Sequence, residues 1–140
     1  MIRKLKLMDN TQNLINRYQM MVSALKLSLN SNSASIIFQR SSADRIAKET
    51  FGYYMKISTY KSFIKEIKSM SNLEEIIKKY ETKIVERQAS LDEIKNMFSL
   101  AKSDNTIDVV DLESEHENVM YDIKMYTEFI KDLKTLPNGK

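Results

Sequence analysis

The sequence predicts an all-α protein, an antiparallel helical bundle with coiled-coil-like hairpins and about four helices. Three observations carry that prediction. Gly occurs only at Gly52 and Gly139 and Pro only at Pro137, whereas a β-rich chain needs many tight turns that lean on Gly, Pro and Asn. Leu, Ile, Met, Lys, Glu and Gln dominate the composition, and most of these are good helix formers. Apolar residues also recur at alternating spacings of three and four, the period of a helix with one buried face. With 140 residues the chain has the length of one ordinary domain. A single all-helical domain over 1–140 is expected, with helices near 10–30, 42–70, 72–102 and 107–135.

Residues 1–8 are basic and read as a flexible N-terminal extension. Asp9 or Asn10 can cap the first helix by accepting from free backbone N–H groups. Its apolar stripe is Leu14, Ile15, Tyr18, Met21, Val22, Leu25 and Leu29. The run Asn30-Ser31-Asn32-Ser33-Ala34-Ser35 predicts a polar loop, because Ser and Asn side chains compete for backbone hydrogen bonds. Ile36, Ile37 and Phe38 follow as a short apolar patch, which either starts the next helix or packs as a separate turn.

Ser42 is the expected cap of the second helix. The seam of that helix reads Ile46, Thr50, Tyr53, Ile57, Tyr60, Ile64 and Ile67, a heptad pattern. Gly52 lies off the seam, where a kink or a close helix contact would explain it. Ser71 and Glu74 have capping-box spacing, and the heptad phase changes at the same place, so a third helix begins at 72 or 73. Its seam runs Leu73, Ile77, Tyr80, Ile84, Arg87, Leu91, Ile94, Phe98 and Ala101. A second box at Ser90 and Glu93 leaves the phase unchanged, which favours one continuous helix. Ser103-Asp104-Asn105-Thr106 marks a turn. The last seam is Val109, Leu112, His116, Val119, Ile123, Tyr126, Ile130 and Leu133, ended by Pro137-Asn138-Gly139. Folding the chain back about residue 105 pairs Phe98 with Leu112, Leu91 with Val119 and Ile84 with Tyr126. Narrow seams of two apolar residues per heptad fit either a monomeric four-helix bundle or a coiled-coil assembly completed by other copies. Self-association is therefore expected.

Several function classes find no support. The chain has no Cys, so disulfides and thiolate metal sites are excluded. No stretch approaches the ~20 apolar residues of a membrane span, and no apolar core of a signal peptide follows the basic N-terminus. The expected location is the cytoplasm, of a bacterium or of an infected host cell. Usage rich in Lys, Ile, Asn and Ser fits coding from an AT-rich genome, as in many phages, large DNA viruses and some bacteria. Enzyme chemistry is not expected, since Gly-rich phosphate loops, nucleophile elbows and catalytic Cys are all missing. No cofactor is expected.

Metal binding has one weak signal. Glu113-x-x-His116 has the i, i+3 spacing of di-iron carboxylate bundles, but such sites need that pair on two helices. His116 is the only histidine, so the reading favours a seam residue near Ile94 and no metal site. Arg87 interrupts an apolar seam, where its stem can pack while the guanidinium reaches water or a carboxylate. The hairpin register offers Asp122 as that partner, and an anion-binding Arg87 is the functional alternative.

Charge is distributed unevenly. Residues 1–71 hold twelve basic and four acidic side chains, residues 72–102 hold six of each, and residues 103–140 hold four basic and nine acidic. Tyr54, Ser58, Lys61, Lys65 and Lys68 share one helical face off the apolar seam. Arg40, Arg45 and Lys48 sit at the start of the same helix. Such a surface can track a phosphate backbone with salt-sensitive, sequence-independent affinity, and the alternative is a solvated lysine face. Asp104, Asp108, Asp111, Glu113, Glu115 and Glu117 form an acidic stretch, partly ordinary N-terminal helix chemistry and partly a candidate docking surface for a basic partner. No Gly stands where a calcium loop turns. The leading expectation is a non-enzymatic helical interaction protein (adaptor, scaffold or inhibitor) that binds protein partners and itself. The alternative is a sequence-nonspecific nucleic-acid-binding accessory protein using the basic half.

Overall fold

The computed structural model describes the backbone of residues 2–38 and 43–137 and the side chains of residues 10–31 and 45–137. Among the described residues four helices follow in order, α1 (Ile2–Phe38), α2 (Ala43–Lys68), α3 (Leu73–Ala101) and α4 (Val109–Lys134). No strand occurs among the described residues, so the fold is all-α as its periodicity predicts. The helices pack in pairs, α1 on α2 and α3 on α4. The chain forms two compact units, one of Met1–Ser71 with Leu136–Lys140 and one of Asn72–Thr135. Among the described residues no helix is long and apolar enough to cross a membrane.

The first helix corrects two expectations. It begins at Ile2 rather than at residue 9 or 10, and it runs through the polar stretch 30–35 instead of breaking there. Ser and Asn lose only about 0.5 kcal/mol each against Ala inside a helix, and no Gly or Pro precedes Gly52 to interrupt the ladder. Ser28, near that stretch, returns its hydroxyl to Ala24 O at 3.2 Å, satisfying itself within the helix. The expected cap Ser42 and the side chains of Ile36, Ile37 and Phe38 lie outside the described residues.

In the first hairpin Val22, Leu29 and Ile57 form a buried cluster that Leu25, Tyr53 and Tyr60 cover. Further toward the start of α1, Tyr18 is 2% exposed. It meets Tyr60 at 5.4 Å and Phe63 at 6.0 Å between ring centroids, and Tyr60 and Phe63 pack edge-on at 6.3 Å. Because early α1 meets late α2, the two helices run antiparallel. Each aromatic pair contributes about 0.5–1.5 kcal/mol beyond the area it buries. Thr50 sits in this seam at no polar cost, its hydroxyl donating to Ile46 O at 2.7 Å. Met21, expected in the stripe, is 39% exposed. Gly52 marks no close helix contact, since a Cβ added there meets nothing within 4 Å.

The second hairpin starts one residue later than its capping box implies. Asn72, not Ser71, is the N-cap of α3, with its side-chain oxygen accepting from Glu74 N–H at 2.9 Å. Helix α3 is continuous past Ser90, whose hydroxyl donates to Glu86 O at 3.2 Å. Asp108 caps α4 by accepting from the N–H groups of Val110 and Asp111 at 3.0 and 3.3 Å. The core toward the loop is Ile94, Leu112 and Val119, with Leu91, Phe98, Ile107 and Ile123 packed on it. Phe98 with Leu112 and Leu91 with Val119 share this cluster, as folding about residue 105 predicts. Toward the other end, Tyr80 meets Phe129 edge-on at 4.9 Å and Tyr126 at 5.3 Å. Lys83 Nζ lies 4.9 Å from the Tyr80 ring centre and 5.6 Å from that of Tyr126. Burial, followed by the negative charge of Asp122, raises the Tyr126 pKa above its ordinary value, against the pull of Arg87.

Among the described residues of α2, α3 and α4, four buried ones lie outside the predicted seams: Phe63, Ile76, Met125 and Phe129, the last 0% exposed. Each stands directly beside a seam residue, Ile64, Ile77, Tyr126 and Ile130 respectively. Two neighbouring apolar positions per turn widen the buried stripe beyond a two-per-heptad seam.

Candidate binding surfaces

The lysine-bearing face of α2 follows from helix geometry. At 3.6 residues per turn, positions 54, 58, 61, 65 and 68 recur at spacings of four and three and share one side. That side is open: Tyr54 is 60% exposed, and Ser58, Lys61, Lys65 and Lys68 are exposed as well. A shallow groove of about 440 Å³ runs along it, lined by Tyr54, Ile57, Ser58, Lys61, Ser62 and Lys65. Among the described residues none of these lysines enters an ion pair. Arg45 and Lys48 are also exposed, but they lie on other sides of the helix, about 180° and 120° round from Tyr54 at 100° per residue. Arg40 lies outside the described residues. Sequence reasoning missed Phe51, 63% exposed and three residues before Tyr54. The same three–four rhythm, extended one step backward, would have found it.

The acidic stretch divides by role. Asp108 is the N-cap just described, and Asp111 lies in the first turn of α4, where negative charge meets the positive end of the helix dipole. Asp104 accepts from the Thr106 hydroxyl at 2.6 Å and its N–H at 2.9 Å, and these bonds lower its carboxyl pKa below the ordinary value. Glu113, Glu115 and Glu117 are exposed on the body of the helix. His116 is half-buried, its ring 6.3 Å from that of Phe98, which is a seam contact. No group of three or more metal-binding side chains occurs among the described residues.

Arg87 bridges the second hairpin. Its Nε donates to Asp122 Oδ2 at 2.8 Å, and its Nη2 donates to the same oxygen. Asp122, the partner that the hairpin register offered, therefore holds it. The pair is reached by water, with side chains 41% and 20% exposed. Beside it lies a shallow cleft of about 300 Å³ lined by Arg87, Ser90, Glu93, Ile94, Glu115, Asn118 and Val119.

At the loop end of the same hairpin, apolar side chains face solvent. Met97, Leu100, Val109 and Val110 are 39%, 55%, 42% and 70% exposed, so Val109 leaves the seam expected for it. Charge separates along the compact units as well: the α1–α2 unit holds thirteen basic and four acidic side chains, the α3–α4 unit nine and fifteen. Comparison of the chain with protein families, curated proteins and solved structures finds no match.

Proposed function

We propose that the protein is a non-enzymatic helical interaction protein, an adaptor, scaffold or inhibitor that acts through helix faces and associates with itself. The observation that carries this reading is the apolar end of the α3–α4 hairpin. Leu100 and Val110 stand open to water there beside Met97 and Val109. Apolar side chains grouped on a rigid element gain roughly 25 cal/mol per Å² when a partner covers them. The occupant proposed is the same end of a second copy, since one patch meeting itself closes a two-fold dimer. Sedimentation equilibrium tests it: the wild-type chain should associate as concentration rises. Leu100→Ser combined with Val110→Ser should remain monomeric with unchanged helicity. A wild-type chain that stays monomeric to about 100 μM rules out self-association.

A second reading, sequence-independent nucleic-acid binding, is favoured by a different observation. The α2 groove gathers Tyr54, Ser58, Lys61 and Lys65 on the unit that carries the excess of basic residues. Lys61 and Lys65 repel each other at i, i+4, and a polyanion laid along them relieves that repulsion.

A further inference from the structure

We infer that the exposed face of α2 binds single-stranded nucleic acid, with unstacked bases against Phe51 and Tyr54 and the phosphate backbone along Lys61, Lys65 and Lys68. This rests on the second reading above and names its ligand. Helix α2 carries two heptad stripes. One is the buried seam Thr50, Tyr53, Ile57, Tyr60, Ile64 and Ile67; the other, one residue further at every step, is Phe51, Tyr54, Ser58, Lys61, Lys65 and Lys68. The second stripe spans about 25 Å at 1.5 Å per residue, with aromatic rings at its N-terminal end and lysines at its C-terminal end.

Three features fit a single strand. The stripe contains no acidic residue, and its lysines are without ion pairs among the described residues, so nothing on it competes with a polyanion. Phe51 and Tyr54 are 63% and 60% exposed, which leaves ring faces free for stacking. Ser58 and Ser62 line the groove between the two ends, and their small side chains let a ligand backbone approach closely. A duplex keeps its bases stacked on each other and offers this surface only phosphates, whereas a single strand offers bases and phosphates together. No Arg or Asn stands on the stripe for bidentate base readout, so affinity is independent of sequence.

The test is fluorescence anisotropy with a labelled mixed-sequence 20-mer, the same strand annealed to its complement, and anionic vesicles as a competing surface. Single-strand binding at micromolar level in low salt should fall with salt at a log–log slope of about −2 for three phosphate contacts. Phe51→Ala and Tyr54→Ala should each weaken single-strand binding roughly 5- to 100-fold and leave duplex binding within about twofold. Lys61→Glu with Lys65→Glu should abolish both and keep helicity by circular dichroism. Equal affinity for strand and duplex, indifferent to both ring variants, overturns the single-strand inference and keeps the nucleic-acid reading. Binding to neither form, or to vesicles alone, overturns both.

Discussion

The two hairpins solve the same packing problem with different chemistry. Among the described residues the core between α1 and α2 is apolar and aromatic, with Tyr18, Tyr60 and Phe63 mutually packed and the seam residue Thr50 satisfied inside its own helix. Between α3 and α4 an ion pair joins the strip, with the Arg87 guanidinium on Asp122 between the aromatic end and the Ile94–Leu112–Val119 end. Apolar contacts are tolerant of sliding, because one methylene packs much like another. A charged pair is not, since a shift of one helical turn, about 5.4 Å, leaves both groups without their partner. Hydrophobic area stabilises either hairpin, while register in the second is held by a polar contact of small net energy.

The aromatic centres of the two hairpins carry the largest expected losses. Phe129→Ala removes a ring with no exposed surface and should cost about 3–5 kcal/mol, read as a lower urea midpoint by circular dichroism. Tyr18→Ala should match it in the first hairpin, and a cost under 1 kcal/mol in either would show that the packing assigned there is wrong. Next comes the ion pair. Water reaches Arg87 and Asp122, so screening limits Asp122→Ala to about 1 kcal/mol. Arg87→Met combined with Asp122→Leu should recover most of that loss. A double variant costing as much as the sum of both single changes would leave the pair no coupling to explain. The smallest effect is a gain: Gly52 is inside a helix with open space around its Cα, and Gly52→Ala should add about 0.5–1 kcal/mol. A destabilised Gly52→Ala variant would mean that the space beside α2 is filled.

Most of this architecture is legible in the sequence because heptad spacing encodes both helix faces and hairpin register. The pairing of Phe98 with Leu112 and of Arg87 with Asp122 follows from the two seams and one turn. What was illegible had physical causes. The length of α1 turns on Ser and Asn, whose preferences of a few tenths of a kcal/mol are overridden easily. Phe63, Ile76, Met125 and Phe129 fall outside a seam of two residues per heptad, because adjacent apolar pairs make the buried stripe broader. Of the candidate surfaces, the lysine face of α2 was readable from spacing alone. Phe51 was not singled out because, in sequence, an apolar residue one step off a seam looks like part of it.

The division of charge between the hairpins has a practical consequence. A net charge of +3 describes a mild base that a cation exchanger holds loosely. The chain instead joins a unit with an excess of nine positive charges to one with an excess of six negative charges. Such a molecule adsorbs to resins of both signs, presenting the α1–α2 hairpin to sulfonate beads and the α3–α4 hairpin to quaternary amine.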